Sequence, residues 1–258
     1  YEEYNEAMVY VDLSKKNTTT RIPEAKTPTP DFRLTDNGKF PFDIYVEVKA
    51  LSFLDGNLNY IEAQKSSLEA NIAIEKQIND GKQIAFGETI ISPFLKRNKL
   101  PSTKDLIEIY IDKITNNIKS GQYILGDTVL LVDIKQLHVG SHWDESGIAL
   151  YQEGQMKSIV SGVLWHVAFG QTGDMIYKPI EFEGKPNTDS QLTKNGILVD
   201  NSFIKGLVFA TYKNFHERKY LGFFRYEEQD EQSANFISLF CDLHNDNKNT
   251  EAWRVLQK

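Results

Sequence analysis

The sequence predicts an α/β protein, with a central mixed β-sheet flanked by helices and a C-terminal α+β region. The clearest stretch is Phe42 to Ala50, which alternates strictly. Phe42, Ile44, Val46, Val48 and Ala50 fall on one face of an extended strand, and Asp43, Tyr45, Glu47 and Lys49 on the other. Residues 103–119 instead repeat apolar positions at helical spacing, through Leu106, Ile107, Ile111, Ile114 and Ile118. Thr128 to Ile134 then runs nearly all apolar and β-branched, as a strand buried on both faces does. A helix feeding such a strand is the mark of an α/β layer.

The chain has 258 residues, 40% of them hydrophobic and 25% charged, which suits a globular protein with one large or two small domains. Its 15 Phe and 12 Tyr promise a substantial core. The formal charge of −7 argues against a uniformly basic nucleic-acid binder but leaves room for local basic patches. The single cysteine, Cys241, fits a reducing cytoplasm and reads as a small buried hydrophobe. No apolar run is long enough for a membrane helix, and no signal peptide is visible. The first residue is Tyr1 rather than Met, which is compatible with a natural start further upstream.

In chain order, residues 2–13 read as the end of a helix running into a short strand. The Lys-, Thr- and Pro-rich segment from Ser14 to Thr29 reads as a loop. Strands are expected at 30–35 and 41–51, with Asp36-Asn37-Gly38 turning between them. A helix over 59–79 would bury Ile61, Leu68, Ile72 and Ile78 until Asp80-Gly81 stops it. A strand is expected next, at 83–92. Ser102 or Thr103 caps the helix over 103–119, Asp105 sits in its first turn, and Gly121 ends it. Further on, the pattern predicts a helix over 154–169, loops over 171–200, strands at 204–210 and 220–226, a helix over 232–243, and a polar, mobile tail from 245 to 250.

The chemistry concentrates on Pro30-Asp31 and Glu47-Val48-Lys49. A hairpin turn would return Asp31 beside Glu47 and Lys49. Two carboxylates suit a hard divalent cation such as Mg²⁺, with Mn²⁺ as a substitute. A lysine within reach could stabilise charge developing on a phosphate, or orient an attacking water. The triplet alone is weak evidence, since Asp/Glu-x-Lys occurs seven times, starting at Glu24, Glu47, Asp80, Asp133, Glu183, Glu217 and Asp246. Glu47 is singled out by its place on an alternating strand, by the preceding Pro-Asp pair, and by the helix and buried strand further along the chain. The bland alternative is a solvated strand face carrying an ion pair of little energetic weight.

These residues resemble the PD-(D/E)xK nuclease superfamily. Pro30-Asp31 and Glu47-Val48-Lys49 look like its motif, and the later progression of helix 103–119, Gln122 and strand 128–134 is similar to the superfamily's order of elements. The resemblance covers roughly residues 1–137. It implies a restriction-endonuclease-like core over 1–137, with 138–258 as an accessory or substrate-recognition region, separate from or continuous with that core. It implies Asp31 and Glu47 as metal ligands and Lys49 as the catalytic lysine. Glu6 (or Glu3 or Glu2) would match a glutamate on the first helix, and Asp43 and Gln122 are secondary candidates. The implied activity is Mg²⁺-dependent hydrolysis of phosphodiesters in DNA, with a homodimer as a fitting arrangement. The alternative is a non-catalytic nucleic-acid- or protein-binding module on the same fold.

Other groups carry less. His138 and His142 are four apart, but Gly140-Ser141 between them favours a loop over a helical metal pair. His166 in its apolar setting reads as a core histidine. Neither Ser146-Gly147 nor Ser161-Gly162 forms a nucleophile elbow, and no phosphate-binding glycine motif is present. The basic groups Lys15-Lys16, Lys96-Arg97-Lys99, Lys113-Lys119 and His216-Arg218-Lys219 could contact phosphates or simply face solvent.

Overall fold

The structure, a computed structural model, describes residues 2–35, 43–52, 56–89, 103–136, 151–153, 158–160, 162–174, 191–214, 217–226, 231–248 and 254–255. The chain divides into two compact units, one formed by 1–51 with 102–258 and the other by 52–101.

The larger unit is built on an eight-stranded mixed sheet, and no helix among the described residues is long and apolar enough to cross a membrane. Its strands are β1 (Thr18–Arg21), β2 (Phe32–Thr35), β3 (Ile44–Ser52), β4 (Thr128–Gln136), β7 (Ile204–Asn214), β8 (Glu217–Phe224), β9 (Leu243–Asp246) and β10 (Arg254–Val255), lying in that order across the sheet. A separate small hairpin pairs β5 (Tyr151–Glu153) with β6 (Ser158–Val160). β1, β2 and β3 form an antiparallel meander, β4 runs parallel to β7, and β8 runs antiparallel to β7 and parallel to β9. The sheet takes strands from both sides of the 137/138 boundary. Residues 138–258 supply half of the sheet, and β4 pairs along its length with β7.

Helices cover both faces. On one, Val9 and Leu13 of α1 (Glu2–Ser14) and Phe236, Ile237 and Phe240 of α6 (Glu231–Phe240) pack onto Phe32, Leu34, Val46, Val48, Val129, Leu131 and Val208. On the other, α3 (Thr103–Asn117) packs with α4 (Val163–Phe169) and α5 (Ile197–Asp200). There Phe169 meets Phe223 edge-on at 6.0 Å, and Phe223 meets Phe209 at 5.8 Å. The expected stripe of α3 is buried at Leu106, Ile107, Ile111 and Ile114.

Several local expectations change. α1 is helical throughout, with no strand at its end. β1 falls inside the expected 14–29 loop, because it is an edge strand of exposed threonines that lacks an apolar alternation. Residues 158–160 form β6 rather than helix, and 163–169 is helical. The expected mobile tail begins within β9, whose polar His244, Asn245 and Asp246 are buried. Trp165 Nε1 donates to the Asp246 carbonyl at 3.0 Å, and Asp246 Oδ1 accepts the Lys248 N–H at 2.9 Å.

The smaller unit contains α2 (Gly56–Asn79), matching the expected helix. Its residues 83–89 are not a strand, and Leu68, Ile72 and Ile78 are exposed instead of buried. The expected turn at 36–38, the basic cluster at 96–99 and the histidines at 138 and 142 lie outside the described residues.

Candidate active site

The β2–β3 register pairs Phe32 with Val46 and Leu34 with Ile44, so the chain returns as the hairpin reading requires. Asp31 stands one residue ahead of β2 and is clamped by the main chain around Glu47. Its N–H donates to the Val46 carbonyl at 3.2 Å, and its Oδ2 accepts the Val48 N–H at 2.7 Å. Burial raises the Asp31 carboxyl above its ordinary range, against the stabilising Val48 amide and the charges of Lys49 and Arg21.

Glu47 overturns the expectation of a solvated polar face, because it is fully buried. The covering element is a single 3₁₀ turn, Ser120–Tyr123, between α3 and β4. The turn is held against the sheet by its exit. Tyr45 donates its N–H to the Asp127 carbonyl at 2.8 Å, and a side chain at Gly126 would collide with the Tyr45 ring at 2.8 Å. Gln122 in the turn donates Nε2 to Oε1 of Glu47, and the Lys49 ammonium contacts the same oxygen. Oε2 is buried and has no hydrogen-bond partner among the described residues. One carboxylate oxygen is thus spent on protein donors and the other is left over.

The electrostatics arise from this packing. Burial, then the Asp31 charge, push the Glu47 carboxyl up to about 7, only partly offset by Lys49, and Glu6 adds to the rise. The Asp31 and Glu6 carboxylates are therefore both close enough for their charge to be felt at Glu47. Glu6 itself pairs with Arg21 at 3.3 Å across α1 and β1. Asn5, the neighbour of Glu6, is buried, and neither side-chain polar atom has a partner among the described residues.

Asp31, Glu47, Lys49 and Gln122 come together, with Glu6 at the margin. Asp43 does not join them. It is exposed and forms a two-pronged pair with Arg33 at 2.8 and 2.9 Å, so the shared strand face did not carry it to the site. The rival Asp133 is buried in β4, paired in register with Ala210 of β7. Two of the basic groups are used internally. Lys16 donates to the Leu239 and Phe240 carbonyls at 3.2 Å, and Arg218 pairs with Asp12 at 3.1 Å. Cys241 is fully buried and its thiol is pushed well up by desolvation, which suits an inert core role.

The sequence reading missed Tyr123. It lies directly after Gln122, is 6% exposed, and packs its ring against Phe203 at 5.1 Å. Its hydroxyl has no partner among the described residues. A buried O–H left unpaired costs about 1–3 kcal/mol. The available signal was its adjacency to Gln122.

Among the described residues, no group of three or more His, Cys, Asp or Glu is placed to hold a metal ion. The arrangement offers two carboxylates, which fits the way Mg²⁺ binds, through one or two carboxylates while keeping several waters. The spare Oε2 of Glu47 is the orphaned acceptor that such an ion would satisfy. Comparison with protein-family models, characterised proteins and solved structures finds no match.

Proposed function

We propose that the chain is a Mg²⁺-dependent nuclease of PD-(D/E)xK type, hydrolysing phosphodiester bonds in DNA. The observation that carries this reading is the split use of Glu47, within reach of the Asp31 charge. Its Oε1 takes Lys49 and Gln122, while Oε2 is left without a partner among the described residues. A purely structural buried glutamate would be expected to have both oxygens satisfied. The element order of α1, the β1–β3 meander, α3 and β4 supports a restriction-endonuclease-like core.

In this reading Asp31 and Glu47 hold the divalent cation. When bound, the ion polarises the scissile phosphate and lowers the pKa of a coordinated water. Lys49 offsets charge growing on the phosphate and orients the water. Gln122 fixes the Glu47 carboxylate so that Oε2 faces the ligand. The Val48 amide holds Asp31 in place in the same way. Burial of Glu47 lowers its exposure to bulk water and strengthens each charge interaction there.

The test is cleavage of plasmid and single-stranded DNA in Mg²⁺ and in Mn²⁺ by wild type and by Lys49→Ala. Wild type should cut, and the variant should lose roughly 10²–10³-fold in rate. Wild type that cuts no nucleic acid with either metal overturns the nuclease reading. Equal cutting by the variant overturns the role of Lys49.

A further inference from the structure

Tyr123 is a buried phenol directly after Gln122, and its hydroxyl has no hydrogen-bond partner among the described residues. Its ring is fixed against Phe203, and the 3₁₀ turn that carries it is anchored through Gln122 to Glu47. A phenylalanine would fill the same space. Tyr123 directly follows Gln122, whose side-chain amide bonds the Glu47 carboxylate, and burial, then the charges of Glu47 and Asp31, hold its phenol in the protonated form. Yet the hydroxyl donates to neither and finds no other partner among the described residues.

We propose that the Tyr123 O–H is a substrate contact, donating a hydrogen bond to a non-bridging oxygen of the phosphodiester bound at the Asp31–Glu47 pair. This rests on the nuclease reading and adds a residue to it. A phosphate entering the site meets two carboxylates, and the Lys49 ammonium it meets is shared with Glu47. A neutral donor that cannot ionise supplies attraction to the anion without disturbing the charge balance that holds the cation. The arrangement also accounts for an unpaired buried O–H persisting in the free protein, because its partner arrives with the substrate.

Three measurements on wild type and Tyr123→Phe test this: the thermal unfolding midpoint without metal, the affinity for a short single-stranded DNA oligonucleotide in Ca²⁺, and the cleavage rate in Mg²⁺. The variant should unfold at the same or a higher temperature, because it removes an unsatisfied polar group. It should bind the oligonucleotide more weakly and cut roughly tenfold to a hundredfold more slowly. Opposite signs in stability and activity are what a structural hydroxyl would not produce. A lowered midpoint, or binding and cutting at wild-type levels, overturns the proposal. If wild type binds the oligonucleotide but never cuts, the nuclease reading falls. Tyr123 is then judged on binding alone, where a weaker variant supports the contact and an equal one overturns it. If wild type neither binds nor cuts, both fall.

Discussion

Asp31 and Glu47 face each other across the start of one antiparallel strand pair, with the Val48 amide bound to Asp31 and the Asp31 charge raising Glu47. A rise from the ordinary 4.5 to about 7 corresponds to roughly 3 kcal/mol of penalty on the ionised form. The fold supports a half-buried carboxylate beside a fully buried one with one lysine in contact, an arrangement that a divalent cation would relieve.

Glu47→Gln should therefore stabilise the metal-free protein while abolishing cleavage. The amide can still meet Lys49 and Gln122 through its oxygen, but carries no buried charge. At pH 8 the gain should be about 1–3 kcal/mol in urea denaturation. A variant less stable than wild type in the absence of metal would mean that Glu47 serves as a structural ion-pair partner.

The pH dependence comes from the same shifts. Glu47 titrates near 7 in the folded chain and near its ordinary 4.5 in the unfolded one. Between those values the folded state holds the extra proton, so this group's contribution to stability falls as pH rises through the window and levels off above 7. The raised Asp31 acts in the same direction. Burial alone would raise Asp12, but Lys15, Tyr220 and Arg218 bring it below its ordinary 3.8, so its contribution is lost only in stronger acid. Denaturation in EDTA should thus show stability declining from about pH 5 to 7 and levelling off above it. Saturating Mg²⁺ should flatten or reverse that slope, and an unchanged slope would argue against binding at Glu47.

The sheet was legible where strands carry strong apolar patterns, as in Ile44–Ser52 and Thr128–Gln136. It was illegible where strands are polar, as at Thr18–Arg21 and Leu243–Asp246, because edge exposure and buried hydrogen bonds replace apolar alternation there. Asp31, Glu47 and Lys49 could be read from motif and hairpin together. The burial of Glu47 could not, since it depends on the turn at Ser120–Tyr123, some seventy residues away, which alternation within β3 does not report. Asp43 shows the converse error, because period-two logic assigns a face but cannot say where along that face the covering element ends.

Asp43→Asn should leave cleavage and the unfolding midpoint unchanged within error. The pair with Arg33 is exposed on both sides, and exposed pairs of this kind contribute little. Loss of cleavage in this variant, measured beside Asp31→Asn, would move Asp43 back into the site.

Asp12→Ala should separate the support of α1 from the chemistry. Asp12 Oδ2 accepts the Tyr220 hydroxyl at 2.7 Å and an Arg218 N–H at 3.1 Å, while Oδ1 takes Lys15 at 2.8 Å. These contacts tie the C-terminal half of α1 to β8, and its N-terminal half carries Glu6 to the margin of the site. Removing the carboxylate takes the charge partner from a largely buried Arg218 and should cost on the order of 3 kcal/mol. Tyr220→Phe, which removes the hydrogen bond donated to Asp12 and the one accepted from Arg218 at 3.1 Å, should cost about 1.5–3 kcal/mol. Well below the unfolding transition both variants should keep the Mg²⁺ affinity of wild type, because Asp31 and Glu47 are held by β2, β3 and the 3₁₀ turn. Isothermal titration at low temperature checks this. A large loss of metal affinity in folded Asp12→Ala would place α1 among the elements that build the cation site.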